Sequence, residues 1–322
     1  MSSKSAPISK SNRIRVGLTI GDPSGIGPAI ALKALYKLKK APADFTVIGD
    51  SYVLKKIPGV KIIDLHNLRR RNFSLGKIKA EYGRAAIEYL DKALGLLRDR
   101  EIDCLVTAPI SKEAINKAGF KYSGHTEYFL KKTRVKEVVM LLLNGSLRFS
   151  LATRHIPIEK VPGALTRQKL YYHILTTYKS LKNLFGIRQP RLVVCGLNPH
   201  ASDNGLIGNE ENRIIKPVLK KLRTKLNLDI EGPLSADVAV TLARAGHYDC
   251  VIAMYHDQAL IPLKLTGRDS GVNMTLGLPF IRTSPLHGTA FDIAKTPALA
   301  NPASLIAAIK LAIKCASQLK KA

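Results

Sequence analysis

The chain has 322 residues, 46% of them hydrophobic and none of them tryptophan, enough to bury one large core or two smaller α/β lobes. No apolar run approaches the about 18 residues of a membrane span, and the opening MSSKSAPISKSNR lacks the apolar segment of a secretory signal. Lysine and arginine number 51 against 24 acidic residues, a net charge of +27. That charge is spread over residues 69–71, 216–225 and 320–321 without interleaved aromatics, the pattern of a solvated basic surface and not of a nucleic-acid site.

Residues 1–14 are expected to form a disordered tail. A first strand over 15–20 runs into a glycine-rich turn, GDPSGIGPAI, whose glycines allow a tight bend and close backbone approach to a ligand. Pro28 suits the first turn of a helix continuing to residue 40. The turn lacks the GxGxxG spacing of a dinucleotide fingerprint. A short strand is expected at 45–49, and the basic, turn-rich region 62–78 carries no assignable chemistry. A helical period over 82–98 precedes a strand at 102–106, which empties into TAPISKEAINKAGFKYSGHTEYFL. Ser111 with Glu113 or Glu127 reads as helix capping. Gly124-His125-Thr126 reads as an exposed turn before a helix, a possible oxyanion-binding corner.

Two strands over 138–143 and 147–153 are joined by the hairpin dipeptide Asn144-Gly145 and end at Thr153-Arg154-His155. An amphipathic helix spans 168–184. A buried strand over 192–195 then runs into Gly196-Leu197-Asn198-Pro199-His200. A helix over 213–226 leads to Asp237 near the start of another. The strand over 250–254 ends at Tyr255-His256-Asp257-Gln258, four side chains able to bond a ligand or a metal. Lys264, Asn273 and Arg282 follow, then His287-Gly288-Thr289-Ala290, and an Ala/Ile/Leu-rich helix over 302–319 closes the chain. Cys104, Cys195, Cys250 and Cys315 form no CxxC pair; three lie in apolar runs and suit a reducing, cytoplasmic setting.

Strands alternating with helices predict a mainly parallel sheet, and such sheets bind ligands at the carboxyl ends of their strands. His155, His200 and His256 each fall at such an end. Three neutral imidazoles are able to hold one divalent metal and leave positions for substrate oxygens, although long-range spacing does not by itself show that they converge.

The motifs GDPSGIGP, TAPISKEA with GHTEYF, ATRHIP, GLNPHA, AMYHDQ with Lys264, and GVNMTLGLPFIRTSPLHGTA, in this order from about residue 15 to 319, resemble the 4-hydroxythreonine-4-phosphate dehydrogenase family of pyridoxal phosphate biosynthesis. HGTAFDIAKTPALANP is also similar to the adenine-side loop of isocitrate and isopropylmalate dehydrogenases. The resemblance implies a two-lobed α/β/α fold like those enzymes, with an active-site cleft between the lobes. Residues 15–130 plus 268–322 would form the cofactor lobe and 131–267 the substrate and dimerisation lobe. It implies a divalent metal (Zn, Mg or Co) on His155, His200 and His256, one of them from the partner in a homodimer with a shared site. It implies a phosphorylated substrate held by His125, Thr126, Lys264, Asn273 and Arg282, with Lys264 and Asp237 as catalytic groups. NAD or NADP would lie against His287, Gly288, Thr289 and Ala290. The implied reaction oxidises 4-phosphooxy-L-threonine to a 3-keto acid that loses carbon dioxide. Departures from the family pattern at Ala29, Ser202-Asp203, Val238 and Leu286 leave a related dehydrogenase of threonate or erythronate 4-phosphate as the alternative. No nucleic acid or membrane partner is expected.

Overall fold

The computed structural model describes residues 13–54, 57–267 and 270–321. The tail expected over residues 1–14 lies outside the described residues up to residue 12, and its boundary moves, because Ile14 already opens the first strand.

The elements are β1 (Ile14–Thr19), α1 (Gly27–Lys37), β2 (Ala43–Gly49), β3 (Lys61–Asp64), α2 (Ala80–Arg98), β4 (Cys104–Thr107), α3 (Lys112–Lys117), α4 (His125–Thr133), β5 (Val139–Asn144) and β6 (Leu147–Leu151). Then come α5 (Val161–Ala164), α6 (Arg167–Phe185), β7 (Leu192–Cys195), α7 (Lys216–Leu226), β8 (Ile230–Leu234), α8 (Ala236–Arg244), β9 (Cys250–Ala253), α9 (His256–Leu265), β10 (Val272–Leu276), β11 (Ile281–Pro285) and α10 (Ala303–Lys321). All strands belong to one eleven-stranded sheet in the order β3-β2-β1-β4-β11-β10-β5-β6-β9-β7-β8. Its pairings are parallel except β5–β6, β5–β10 and β10–β11. The expected mainly parallel α/β architecture is therefore what the chain adopts. Strands from residues 14–107 and 272–285 fill one half of the sheet, and those from 139–253 fill the other.

Strand composition explains the layers. β4, β7 and β9 (CLVT, LVVC, CVIA) are buried at every position, as strands covered on both faces must be. Along β5, residues alternate between two cores: Val139, Leu141 and Leu143 enter the large one, whereas Met140 and Leu142 face the smaller one with Ala239, Ala243, Ala259 and Leu263 of α8 and α9. The chain steps outward from β1 to β2 through α1, and back across from β3 to β4 through α2. Right-handed crossovers therefore put these two helices on opposite faces. α10 packs on β11, β4 and β1 beside α1, its stripe of Leu305, Ala308, Ile309, Ala312 and Ala316 fully covered.

Three local expectations change. The helix after the glycine-rich turn ends at Lys37, where Leu38 N–H bonds back to Ala34 and Leu35. The helix expected from 213 begins as a π-type turn, Glu211–Ile215. Pro217, which has no N–H to give, then sits in the first turn of α7. The stretch between Lys264 and His287, where no strand was expected, contains two strands, β10 and β11.

Gly21 shows how tightly the first turn is built. Its φ is +71°, and an added Cβ would stand 2.2 Å from the carbonyl oxygen of Pro109 and 2.8 Å from that of Ala108. Asp22 N–H donates to the same Pro109 carbonyl at 2.8 Å. Gly21→Ala combines a left-handed backbone with a backbone clash, and should destabilise the fold by about 2 kcal/mol or more. A urea midpoint equal to that of the wild type would contradict this.

Candidate active site

The centre of the site is set by strand pairing. β6 and β9 run parallel, with Leu151 opposite Ala253. The pairing continues past the strand ends, because Ala152 N–H bonds Ala253 O, and Thr153 bonds Met254 O through both N–H and Oγ1. Two chains leaving the sheet side by side bring His155 and His256 together, their ring centres 5.8 Å apart. His256 Nδ1 is 2.6 Å from Asp257 Oδ1. A carboxylate only accepts, so Nδ1 carries a proton, and in a neutral ring the lone pair is then on Nε2. Burial, then the charges of Lys112 and His256, holds the His155 pKa below the ordinary imidazole value.

A second feature comes from β10 and β11. Asn273 lies opposite Ser284 and Thr275 opposite Arg282, so the strand period puts these four on one face, while Val272, Met274, Leu276 and Ile281 enter the core. Arg282 is 1% exposed. Its Nε and Nη2 donate to Thr107 Oγ1 at 3.1 and 2.7 Å, and Nη1 donates to Thr275 Oγ1 at 3.1 Å. Phe129 lies 5.8 Å from the guanidinium. Burial pushes the Arg282 pKa down to about 9, partly offset by the charge of Glu127. A buried guanidinium with hydroxyl partners alone, among the described residues, is a cation prepared for an anionic ligand.

The cavity in front of Arg282 holds about 170 Å³ and is lined by His125, Thr126, Asn273, Ser284, His155, Lys112 and Glu127, among others. His125 Nε2 and Asn273 Oδ1 are buried and lack a hydrogen-bond partner among the described residues. Burial and the Arg282 charge hold the His125 pKa well below its ordinary value, so the ring is neutral. His155 belongs both to this cavity and to an adjoining one of about 320 Å³ formed with Arg154, Tyr255, His256 and Asp257.

The histidine-glycine loop closes one wall. His287 and Gly288 line the cavity, and Thr289 O accepts from Ile26 N–H at 2.9 Å. A Cβ on Gly25 would stand 2.8 Å from that oxygen, so the glycine-rich turn and this loop touch backbone to backbone. Ala290 is half-buried, with φ +44°. Ser24 Oγ ties the turn to Ser74 O, Lys77 O and Lys77 N–H, which gives part of the 62–78 region a structural role.

Several sequence-derived candidates lie elsewhere. Lys264 is exposed on α9 and lines neither cavity. Asp237 is exposed at the start of α8, accepts from Ser235 Oγ, and is held below the usual carboxylate range by that bond first and by His200 last. His200 thus sits by Asp237 and not with His155 and His256. Among the described residues no group of three or more His, Cys, Asp or Glu is placed to hold a metal, so the three histidines do not converge within one chain. Gln258 is structural: it accepts from Met254 N–H and donates to Gly196 O, each at 2.8 Å. His125 and Thr126, expected on an exposed turn, face inward, with Thr126 7% exposed. Ser111 does cap α3, through Ala114 N–H, but Glu127 has a cavity position instead. Lys112, Glu127, Thr107 and Ser284 were not singled out as site residues, although all but Ser284 occur in or beside the TAPISKEA and GHTEYF motifs.

A profile described as "Pyridoxal phosphate biosynthetic protein PdxA" matches residues 18–312. A protein of Sulfurihydrogenibium sp. named 4-hydroxythreonine-4-phosphate dehydrogenase is 42% identical over 318 residues, covering 93% of this chain and 98% of that protein. The chain belongs to the PdxA family. The solved structure of 4-hydroxythreonine-4-phosphate dehydrogenase from Klebsiella pneumoniae superposes with a TM-score of 0.85 at 35% identity, covering 94% of this chain and 99% of that one. Isocitrate dehydrogenase from Methylococcus capsulatus, at 12% identity, 95% and 87% coverage and a TM-score of 0.52, shares the fold. As a PdxA-family member the chain is an oxidoreductase, and its class uses a nicotinamide cofactor.

Behind the PdxA-family site, burial in the core pushes the His173 pKa down to about 3, and its Nε2 lies 2.7 Å from Ser150 Oγ on β6. The unfolded chain takes up that proton below about pH 6.5. The stability from keeping the ring neutral is therefore complete above that pH and is lost as pH falls towards 3, at roughly 1.4 kcal/mol per pH unit. Asp22, raised by burial to about 7, acts in the opposite sense between pH 7 and 4, so the informative quantity is a difference. His173→Gln should remove about 1 kcal/mol per pH unit of acid sensitivity between pH 6 and 4.5 in urea titrations. Parallel slopes for wild type and variant would contradict this.

Proposed function

We propose that the chain oxidises 4-phosphooxy-L-threonine to its 3-keto acid, which then loses carbon dioxide, as the names of its relatives suggest. The observation that carries this reading is buried Arg282, with no carboxylate partner among the described residues, facing a cavity beside neutral His125, Thr126 and Asn273. Arg282 receives phosphate by charge-assisted bonds, and His125 and Thr126 add neutral donors. Asn273 Oδ1 accepts from a substrate N–H or O–H.

His155 and His256 fit half of a divalent metal site, with two imidazoles side by side and one Nε2 lone pair fixed by Asp257. The remaining donor, the partner subunit's His200, would come from a second copy, along with the partner's Asp237 and the partner's Lys264. Exposed apolar side chains support such a homodimer, because they flank these residues: Ile158 near His155, Leu206 near His200, and Ile261 and Leu265 around Lys264, at 66%, 84%, 60% and 82% exposure. A bound Zn, Mg or Co ion would lower the pKa of the substrate's secondary hydroxyl. Residues His287–Ala290 and the glycine-rich turn would hold the nicotinamide cofactor, NAD or NADP, which when bound would supply the hydride acceptor. This chain's residues anchor the phosphate and align the hydroxyl-bearing carbon, and the partner's Lys264 is the group assigned to take up its proton. The half of the chain formed by residues 15–130 and 268–322 serves as cofactor lobe, and 131–267 as substrate and dimer lobe, in a cytoplasmic enzyme.

Cofactor reduction followed by absorbance tests this reading, with 4-phosphooxy-L-threonine, threonate 4-phosphate and erythronate 4-phosphate offered with each metal and each nicotinamide. Chelator-sensitive turnover of the amino acid is expected. Arg282→Lys, which cannot keep the bonds to both threonines, should lower kcat/KM by about a hundredfold. Turnover of the hydroxy acids alone would replace the substrate assignment.

A further inference from the structure

One buried carboxylate shapes the approach to His200. Glu211 is fully covered and opens the π-type turn before α7. Burying such a group is costly unless its oxygens are satisfied. Glu211 Oε1 accepts from Leu197 N–H at 2.7 Å and Asn198 N–H at 2.8 Å, and Oε2 accepts from Asn198 Nδ2 at 2.9 Å. All three donors belong to the two residues that lead into the turn at Pro199 and His200. The residue before them is held from two further sides: Gly196 O accepts from Gln258 Nε2 at 2.8 Å, and Gly196 N–H donates to Leu234 O at 2.7 Å. The turn then folds back over this anchor. A Cβ on Gly196 would stand 2.7 Å from Ala201 Cα and 3.2 Å from Glu211 Oε1.

His200 itself is exposed, so core packing does not orient its ring. A metal ligand must be held close to its productive geometry by the groups around it, and for an exposed histidine that task falls to the backbone carrying it. The backbone here is a run of left-handed residues from His200 to Asn204, which side chains with a Cβ disfavour. Its direction therefore depends on the anchored residues where it starts. We propose that Glu211 is a positioning residue for a metal site on the other subunit, fixing the turn that presents His200 to the partner's His155 and the partner's His256. This rests on the shared-site reading above and deepens it. The proposal has a directional consequence: loss of the Glu211 bonds acts on the site that receives His200, not on the site built from His155 and His256 of the same chain.

Mixed dimers test this, assembled from one chain carrying His256→Ala and one carrying His200→Ala. On the shared-site reading such a dimer keeps a single complete site, made by His200 of the first chain with His155 and His256 of the second. Cobalt titrated into it and followed by its visible absorption should report that site. Glu211→Gln keeps one acceptor oxygen but sets an amide N–H against Asn198 Nδ2. Placed in the His256→Ala chain, it should weaken cobalt binding by about tenfold or more. Placed in the His200→Ala chain, where the turn presents no imidazole, it should leave the affinity within about twofold. Asn198→Ala, which spares both backbone bonds of Glu211, should show the same asymmetry at about threefold, and carries the test if the Glu211 variant does not fold. Equal weakening in both placements would make Glu211 a general stabiliser and overturn the inference, as would unchanged affinity in both; either result leaves the shared site standing. No cobalt site in the mixed dimer without Glu211→Gln sinks the shared-site reading and the inference together.

Discussion

The site depends on the insertion of β10 and β11 into the middle of the sheet. These strands arise late in the chain, yet β11 pairs with β4 and β10 pairs with β5, joining the half built from residues 14–107 to the half built from 139–253. The same pairing places Thr275 opposite Arg282 and Asn273 opposite Ser284. A one-residue slip would turn all four into the core and Met274 into the cavity. Sheet continuity and ligand geometry therefore rest on a single register. Thr283, on the opposite face, fixes that register from behind by bonding Ala308 O of α10.

Within that frame, electrostatics follow from which charges are buried without counter-ions. Arg282 is covered by Phe129 and two threonine hydroxyls, which orient a guanidinium without neutralising it. Burial, and after it the Arg282 charge, holds the His125 pKa well below its ordinary value, so that the ring offers a hydrogen bond and not a second charge. The chain's +27 plays a different part. Dispersed over a screened surface, it draws anions towards the protein, whereas selection falls to the few groups held out of water. Lys112, exposed, and Glu127, half-buried, lie close enough for their charges to act on His155.

Most of the architecture was legible in the sequence because it rests on short-range signals. Fully apolar runs marked β7 and β9, Asn144-Gly145 marked the β5–β6 hairpin, and the 3.6-residue period marked α2 and α6. β10 and β11 escaped because Asn273, Thr275, Arg282 and Ser284 interrupt their apolar positions on one face. What makes them strands is pairing on both sides, a long-range fact. The same limit applies to the histidines. Each was placed at a strand end by local pattern, but which of them meet depends on strand order. β6 adjoins β9, so His155 meets His256; β7 adjoins β8, so His200 meets Asp237. Lys112 and Glu127 were hidden because a charged residue near a helix start has an ordinary local explanation.

Backbone strain links the two groups of histidines. His155 has φ +45°, and residues His200 to Asn204 all lie in the left-handed region, with φ between +44° and +70°. For side chains with a Cβ this costs roughly 1–2 kcal/mol per residue, so the turn must be held from outside. Glu211 does so: fully buried, it accepts from Leu197 N–H, Asn198 N–H and Asn198 Nδ2. Asn212 reaches Asn204 O, and Ile207 N–H returns to Ser202 O. A turn so costly and so heavily braced buries only Ser202 and part of Ala201, and His200, Asp203 and Asn204 stand at the surface. Strain that surrounding structure over-determines is characteristic of functional positions. What the bracing secures here is the place of His200, exposed beside Asp237 and apart from the His155–His256 pair.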